Sequence, residues 1–251
     1  MVQVTLDKVG VRFQVLAERE RSFRRTLAEG ATGGRLRSGP KGTLSVSALE
    51  DINLHLESGE RVALLGHNGA GKTTLLRVLN GVYRPTSGNA VLSGTVGSLI
   101  DVSLGMNPEE TGRKNIYLRG AMLGLSKDYI DGNFADILEF SGLGPYIDLP
   151  LRTYSAGMQL RLSLSVSTLK VPDILVMDEW LAFGDGAFRE QAELRLQRLL
   201  SESKIFIIAS HSRNMVERNC TRGLILQRGR IIKDAPIKEA TEYYFSSSPN
   251  S

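Results

Sequence analysis

Cysteine is almost absent from this chain: Cys220 is the one cysteine among 251 residues. A single cysteine excludes an internal disulfide and favours a reducing, cytosolic setting. Long apolar runs are lacking as well, since no stretch approaches the roughly 18 consecutive apolar residues of a membrane-spanning helix. The N-terminal residues MVQVTLDKVG also lack the apolar centre of a signal peptide. We therefore expect a chain that does not cross a bilayer unaided.

Aromatic residues are sparse, at 6% of the sequence, but hydrophobic residues make up 41%. That proportion is enough for an ordinary globular core. The length suits one large α/β domain, or one domain that carries a subdomain. The composition therefore indicates a folded protein and leaves its function open.

Positive charge is concentrated in one segment. The formal net charge is +4, and residues 17–41 hold seven basic and three acidic side chains, a surplus of 7 − 3 = +4. A nucleic-acid-binding protein usually spreads a basic stripe over its folded surface, so we expect no nucleic acid partner. A membrane surface, an acidic partner or an anionic substrate head group would suit this basic insert, numbered 14–43. An ordinary solvated loop would suit it equally well.

The most specific motif is GHNGAGKT, residues 66–73, which fits the phosphate-binding pattern G-x-x-x-x-G-K-[ST]. An apolar run, VALL at 62–65, precedes it, and TTLLRVL at 73–79 follows with helical spacing. The loop therefore stands where a buried strand passes into a helix, which is the context that the motif requires. A glycine-rich turn with a surface lysine is the alternative, and these flanks disfavour it.

Each residue type in this loop has a physical role. Gly66, Gly69 and Gly71 let the backbone curl so that successive N–H groups face one phosphate. The helix that begins near Gly71 adds its positive end. Lys72 supplies an ammonium for the outer phosphates, and Thr73 supplies a hydroxyl for magnesium. The loop therefore predicts nucleoside triphosphate binding with Mg²⁺.

The second motif is acidic: ILVMDE at 174–179 consists of four apolar residues followed by two carboxylates. A buried parallel strand that ends in acidic residues places them beside the phosphate loop. Asp178 would hold magnesium, and Glu179 would polarise the attacking water. His211 follows another apolar strand and would reach the terminal phosphate from the same sheet edge. The alternatives are a structural carboxylate for Glu179 and a satisfied core or capping histidine for His211.

The order of these motifs resembles the nucleotide-binding subunit of ABC transporters, from about Val4 to Lys233. YSAGM, residues 154–158, stands where that family carries LSGGQ: Ser155 and Gly157 match, and the other three positions depart. The resemblance implies an α/β fold with a P-loop ATPase core, a mixed sheet, an antiparallel β subdomain and an inserted helical subdomain. One ATPase domain would span 1–251, with its core at about 1–104 and 171–240 and the helical subdomain at about 105–170.

The resemblance also implies roles for residues outside the two motifs. Ser155 and Gly157 would complete the ATP site of a second subunit, and Asp185 would lie in the loop that contacts it. Phe13 falls at the adenine-stacking position, although it could instead be a core residue beside Val9 and Val11. Asp101 stands where most members have the glutamine of the Q-loop, and it is a candidate metal ligand. The candidate nucleotide-binding residues are Phe13, Gly66, His67, Asn68, Gly69, Ala70, Gly71, Lys72, Thr73, Thr74, Ser155, Gly157 and Asp178.

The departures from LSGGQ, with TGRKN at 111–115 and LAFGD at 181–185, are similar to the ATPase subunits of polysaccharide exporters. This resemblance implies a homodimer that binds ATP and Mg²⁺, hydrolyses ATP and drives a separate integral membrane permease. The transported substrate would be a lipid-linked polysaccharide such as O-antigen, capsule or teichoic acid. The subunit would be peripheral, on the cytoplasmic face of the inner membrane. Since the sequence stops at Ser251, we expect no carbohydrate-binding domain after the ATPase.

Three other functions remain open at this point. A non-transport ATPase of the same type would carry a long coiled coil or a second tandem copy, and the sequence has neither. An importer or small-molecule exporter would be favoured by LSGGQ and by glutamine at position 101. A nucleotide-binding switch that never hydrolyses ATP is disfavoured by Glu179 and His211.

Overall fold

The computed structural model describes residues 1–15, 36–38, 44–100, 104–179 and 186–246. The chain divides into two compact units. The first contains Met1–Val96, Val176–Glu179 and Lys204–Ser251, and the second contains Gly97–Leu175 and Trp180–Ser203. The functional domain boundaries expected from the sequence stay a prediction. The basic insert at 14–43, of which residues 16–35 and 39–43 are not described, lies almost wholly outside the described residues.

The described part of the chain holds ten strands and eight α-helices. The strands are β1 (Gln3–Val15), β2 (Leu36–Ser38), β3 (Leu44–Glu57), β4 (Arg61–Leu65), β5 (Ser87–Ser93), β6 (Val96–Ser98), β7 (Ile174–Asp178), β8 (Ile205–Ala209), β9 (Arg222–Gln227) and β10 (Arg230–Pro236). The helices are α1 (Lys72–Leu79), α2 (Gly112–Met122), α3 (Lys127–Gly132), α4 (Phe134–Ser141), α5 (Ala156–Ser167), α6 (Gly186–Glu202), α7 (Arg213–Asn219) and α8 (Ile237–Ser246). These elements confirm the α/β class.

Four strands form an antiparallel sheet in the order β2-β3-β1-β5. Alternating side chains of β1 and β3 enter the core, and Val4 opposite Leu56 is completely buried. The alternation predicts that Phe13 shares a face with Val9 and Val11, and this expectation is wrong. The pairing of β1 with β3 shifts register on both sides of Val11. Phe13 is 37% exposed, whereas Val9 and Val11 are buried. A bulge redirects the side chains that follow it.

The second sheet is mixed, with the strand order β10-β9-β4-β8-β7-β6. β4 pairs in parallel with β8 and β9, whereas β10 is antiparallel to β9. All five residues of β8 are completely buried, as are residues 62–65 of β4. Strands covered on both faces need such continuous apolar runs. The Glu179 N–H donates to the Ala209 carbonyl at 2.8 Å, so β7 and β8 end at the same edge of the sheet.

The helices of the second unit begin at side-chain caps. Thr111, Ser126 and Ser155 each accept a hydrogen bond from the backbone N–H three residues later, at the starts of α2, α3 and α5. Such caps satisfy amide groups that the first helical turn leaves without a partner. Apolar side chains from these segments form one buried cluster, whose largest members include Ile116, Ile130, Ile137, Leu151, Tyr154 and Leu162.

The last helix, α8, packs on the mixed sheet within the first unit. Ile237, Ala240 and Tyr244 are buried, with spacings of three and four residues that place them on one helical face. A Cβ added to Gly223 of β9 would lie 2.5 Å from the Ala240 Cβ, so only glycine permits this approach. Helix α8 ends close to the candidate site and supplies one of its side chains.

Candidate nucleotide-binding site

The phosphate loop follows β4 and has a backbone that three glycines make possible. Gly66, Gly69 and Gly71 have φ angles of 149°, 75° and 115°, a region that side chains with a Cβ rarely adopt. At Gly66 a Cβ would also lie 2.4 Å from the Leu226 carbonyl oxygen. The loop then enters α1, whose start has no side-chain cap, so the N–H groups of its first turn have no partner within the helix. This is the strand-loop-helix order expected from the sequence.

A cavity of about 440 Å³ opens over this loop, within the size range of small-ligand sites. Most of the predicted site residues that the structure describes line it. The lining residues are Ala48, Asn68, Gly69, Ala70, Gly71, Lys72, Thr73, Thr74, Asp178, Glu179 and His211. Gly66 and His67 belong to the same loop but do not line the cavity, and Ala48 from β3 had no sequence signal.

Lys72 is the buried cation of the cavity, with 8% of its surface exposed. Its ammonium donates to the Gly66 carbonyl, to the His67 carbonyl at 3.3 Å and to His211 Nε2 at 3.3 Å. Burial lowers the pKa of Lys72, and the nearby charges of Asp178 and Glu179 oppose that shift. The ammonium therefore stands among neutral acceptors that a phosphate oxygen can replace.

Thr73 and Asp178 come together although 105 residues separate them along the chain. The Thr73 hydroxyl donates to Asp178 Oδ2 at 2.7 Å. Among the described residues, no cluster of three or more His, Cys, Asp or Glu side chains could cage a metal ion. A hydroxyl beside a carboxylate does suit Mg²⁺, which keeps several waters and takes phosphate oxygens as its other ligands.

Glu179 follows β7 in a left-handed backbone conformation, with a φ of 68°. A non-glycine residue at positive φ is uncommon and is favoured at functional sites. Its backbone N–H bonds to Ala209, while its carboxylate accepts a hydrogen bond from Ser210 at 3.3 Å. The side chain is 52% exposed at the cavity. Ser210 was missed in the sequence, since a serine between a strand and His211 carries no pattern of its own.

His211 is in contact with three other polar groups. Its Nε2 lies 3.3 Å from Lys72 Nζ and 3.8 Å from Glu179 Oε1, and its Nδ1 lies 3.4 Å from the Tyr244 hydroxyl. Burial, assisted by the charge of Glu179, raises the pKa of Tyr244, so this hydroxyl stays protonated at neutral pH. Tyr244 was also missed. The apolar spacing of residues 237, 240 and 244 was the signal that could have placed it on a helix facing the core.

Phe13 contacts an aromatic side chain that had not been predicted. Its ring meets Tyr83 edge-on, with centroids 5.2 Å apart. The Tyr83 hydroxyl accepts a hydrogen bond from Arg77 of α1 at 2.8 Å. The exposed Phe13 ring is thus linked through Tyr83 to the helix that starts at the phosphate loop. Such a ring face can stack on a flat base.

Ser155 and Gly157 lie in the second unit, at the start of α5. The Ser155 hydroxyl accepts from the Met158 N–H at 3.2 Å, and both Ser155 and Gly157 are exposed. Tyr154, which departs from LSGGQ, is buried and donates to the Tyr146 carbonyl at 2.6 Å. Two further candidates, Asp101 and Asp185, lie outside the described residues.

Every helix in the described ranges is too short or too polar to span a membrane.

The model of the ABC transporter family matches residues 49–182. An O-antigen export system ATP-binding protein, RfbE of Yersinia enterocolitica, is 37% identical over 235 residues, which cover 94% of this chain and 98% of that protein. An RfbB protein of Klebsiella pneumoniae is 39% identical over 78% of this chain and 80% of its own length. A teichoic acids export ATP-binding protein, TagH of Lactococcus lactis, is 37% identical over 73% of this chain but only 39% of its own length.

Solved structures agree on the fold. An ATP-binding subunit of an ABC transporter superposes with a TM-score of 0.68 at 18% identity, covering 99% of this chain and 95% of that one. A dimeric ATP-binding cassette, MJ0796, bound to ADP and phosphate, superposes with a TM-score of 0.66 at 18% identity, covering 93% and 98%.

Proposed function

This chain belongs to the ABC transporter family, and from that premise we propose that it is the ATP-hydrolysing subunit that powers export of a polysaccharide through a separate membrane permease. The O-antigen and teichoic acid export proteins among its relatives support this substrate class. The RfbE relative supports it most strongly, because the similarity extends over nearly the whole of both chains.

One observation carries the ATPase proposal: Lys72, Thr73, Asp178, Glu179 and His211 line a single cavity over a phosphate loop. Phosphate binding would transfer the Lys72 ammonium from backbone carbonyls to phosphate oxygens. The loop N–H groups and the N-terminal end of α1 would hold the remaining charge. Glu179 would accept a proton from the attacking water, and His211 would contact the terminal phosphate.

Thr73 and Asp178 would hold Mg²⁺, since their oxygens already lie 2.7 Å apart at the cavity. The ion would neutralise charge on the phosphates during transfer. Asp101 is proposed as a further ligand on the resemblance alone. Phe13 would stack on the adenine.

We propose that two copies of the chain act as a head-to-tail homodimer with two ATP molecules, each bound between the phosphate loop of one copy and Ser155 and Gly157 of the other. The exposure of these two residues at the start of a capped helix supports this role, because such an end attracts anions. Asp185 would belong to the dimer contact. The core at about 1–104 and 171–240 would bind nucleotide, and the helical subdomain at about 105–170 would couple to the permease.

The proposed location is peripheral, on the cytoplasmic face of the inner membrane, where the permease would hold the subunit. Lipid-linked polysaccharide would pass through the permease, and nucleic acid would have no part. Arginines of the basic insert 14–43 would meet anionic pyrophosphate or phospholipid head groups.

The Glu179→Gln variant tests the ATPase. The substitution keeps the shape of the side chain and removes its basicity, so we expect ATP turnover to fall at least about 100-fold while nucleotide still binds. Glu193→Gln is the matched control, because Glu193 is a half-buried carboxylate of α6 that pairs with Arg189. ATP turnover at the protein-free background rate in both wild type and Glu179→Gln would show a nucleotide-binding switch instead.

The substrate class is tested by reconstitution in lipid vesicles with a polysaccharide-export permease as the candidate partner. Lipid-linked polysaccharide should stimulate ATP turnover, and the lipid carrier without sugar should not. Stimulation by small solutes alone would exclude the polysaccharide assignment.

A further inference from the structure

Tyr244 is placed to control the proton on His211, an inference that rests on the proposed function of the site. Its hydroxyl lies 3.4 Å from His211 Nδ1, on the side of the ring opposite to Lys72. Tyr244 comes from α8, more than thirty residues away, and is 8% exposed. Its ring packs against His67 and Phe245, with centroid distances of 5.6 and 5.0 Å, so the hydroxyl has a fixed position.

The contacts assign the proton of the neutral imidazole in this arrangement. An ammonium can only donate hydrogen bonds, so Nε2 must accept from Lys72. The ring proton therefore resides on Nδ1 and points to the Tyr244 oxygen. The charged groups that face the ring are Lys72 from α1 and Glu179 after β7.

A bound triphosphate reverses this requirement. Once Lys72 turns to the phosphates, Nε2 faces anionic oxygens and must carry a proton to bond with them. Nδ1 of the neutral ring then becomes an acceptor and requires a donor. A hydroxyl can both accept and donate, so Tyr244 can stabilise either tautomer by rotating its O–H bond.

We propose that Tyr244 is a positioning residue that supports the exchange of His211 tautomers and holds the Nε2 proton towards the terminal phosphate of bound ATP. In this role Tyr244 acts through the His211 ring, which its hydroxyl contacts. Its effect should therefore fall on the rate of hydrolysis more than on the binding of ATP.

The kinetic test compares Tyr244→Phe with Tyr243→Phe. The first removes the hydroxyl and keeps the buried ring. The second removes the neighbouring hydroxyl, which lies on the exposed side of α8, where the Tyr243 ring contacts Lys233. For Tyr244→Phe we expect kcat to fall roughly three- to tenfold, the factor of one modest hydrogen bond, with KM for ATP within about twofold of wild type. Tyr243→Phe should match wild type in both constants.

The spectroscopic test follows the imidazole nitrogens by long-range ¹H–¹⁵N NMR with ¹⁵N-labelled histidine. The sequence has three histidines, so single substitutions of His55 and His67 assign the His211 signals. Adding Mg²⁺ and a non-hydrolysable ATP analogue should convert wild-type His211 from the Nδ1–H to the Nε2–H tautomer. Tyr244→Phe should show incomplete conversion, at a temperature where circular dichroism finds every variant folded.

Unchanged kcat and complete tautomer conversion in Tyr244→Phe would overturn the role of Tyr244. That result leaves the proposed function intact if Glu179→Gln is still inactive. A wild type that turns over no ATP would instead remove the ATPase assignment itself, and turnover that survives Glu179→Gln would remove the proposed role of Glu179, so the failures can be told apart.

Discussion

Lys72 illustrates how single residues prepare the site. The residue is 8% exposed, and three acceptors surround its ammonium. Burial lowers its pKa, and the two carboxylates beyond it oppose the shift. The neutral acceptors hold the charge weakly compared with a phosphate, because charge-assisted pairs are about twice as strong as bonds between neutral groups. The loop thus keeps the lysine in place and leaves it free to change partners.

Cys220 gives a pH prediction at the same scale. Burial raises the pKa of its thiol from 9.0 to about 12, and Arg61 opposes this only weakly. Because the folded pKa lies above the unfolded one, the buried thiol's contribution is fully present below pH 9 and is lost as pH rises towards 12. We expect the free energy of unfolding of wild type, minus that of Cys220→Ala, to fall by about 1.4 kcal/mol per pH unit above pH 9.

Urea unfolding of both proteins between pH 8 and 10.5 measures this difference. Cys220→Ala is the reference for wild type, because every other titrating group is common to both chains and cancels in the difference. A difference that stays constant across this range would mean that the thiol ionises equally well in the folded protein.

At the scale of elements, the YSAGM segment shows how a departure from LSGGQ is accommodated. Tyr154 is buried beneath the start of α2, and its hydroxyl donates to the Tyr146 carbonyl. A Cβ at Gly112, the first residue of α2, would lie 2.2 Å from that hydroxyl and 3.0 Å from the Ile147 carbonyl. The larger side chain at 154 therefore goes together with glycine at 112, and Ser155 still caps α5.

Gly112→Ala tests this packing. We expect it to lower the free energy of unfolding by about 1–3 kcal/mol, the usual cost of an overpacked contact. Combining it with Tyr154→Leu should cost less than the two single changes added together, since leucine removes the clashing hydroxyl.

Gly132→Ala in α3 is the control. Its added Cβ meets nothing within 4 Å, and its backbone is ordinary, so it should be neutral or slightly stabilising in urea unfolding. If the changes in the free energy of unfolding caused by Gly112→Ala and Tyr154→Leu were strictly additive, the two residues would not share this contact.

At the scale of the whole molecule, each chain carries one phosphate loop and one YSAGM segment. Two ATP sites therefore require two copies if each site takes one motif from each chain. The proposed ATP is shared, and closing the dimer around it would do the mechanical work. Hydrolysis assisted by Glu179 would then let the two copies separate.

Glu179→Gln with ATP and Mg²⁺ should be trapped as a dimer, and removing the nucleotide should return it to monomers. Adding Ser155→Arg should abolish the dimer, because the long cation would occupy the space next to the exposed start of α5. Ser201→Arg, an exposed position at the end of α6, is the matched control and should leave it intact. Light scattering after size exclusion measures the mass, and a dimer that survives Ser155→Arg would place ATP elsewhere.

The sequence alone determined the local parts of this protein. Strand and helix patterns depend on the spacing of apolar residues, and the loop GHNGAGKT depends on glycine conformations. Both can therefore be recognised from a few consecutive residues. The strands that precede Asp178 and His211 and the helix that follows the phosphate loop were predicted from such short patterns.

Tertiary structure alone decided which distant groups meet. The bulges of β1 that expose Phe13, the Ser210 hydroxyl at Glu179 and the Tyr244 hydroxyl at His211 all depend on register and packing between segments far apart in the chain. Tyr244 comes from a helix that packs closely on the sheet because Gly223 lets Ala240 approach. No short window of sequence contains such a contact, since its geometry is set by the elements that lie between its two partners.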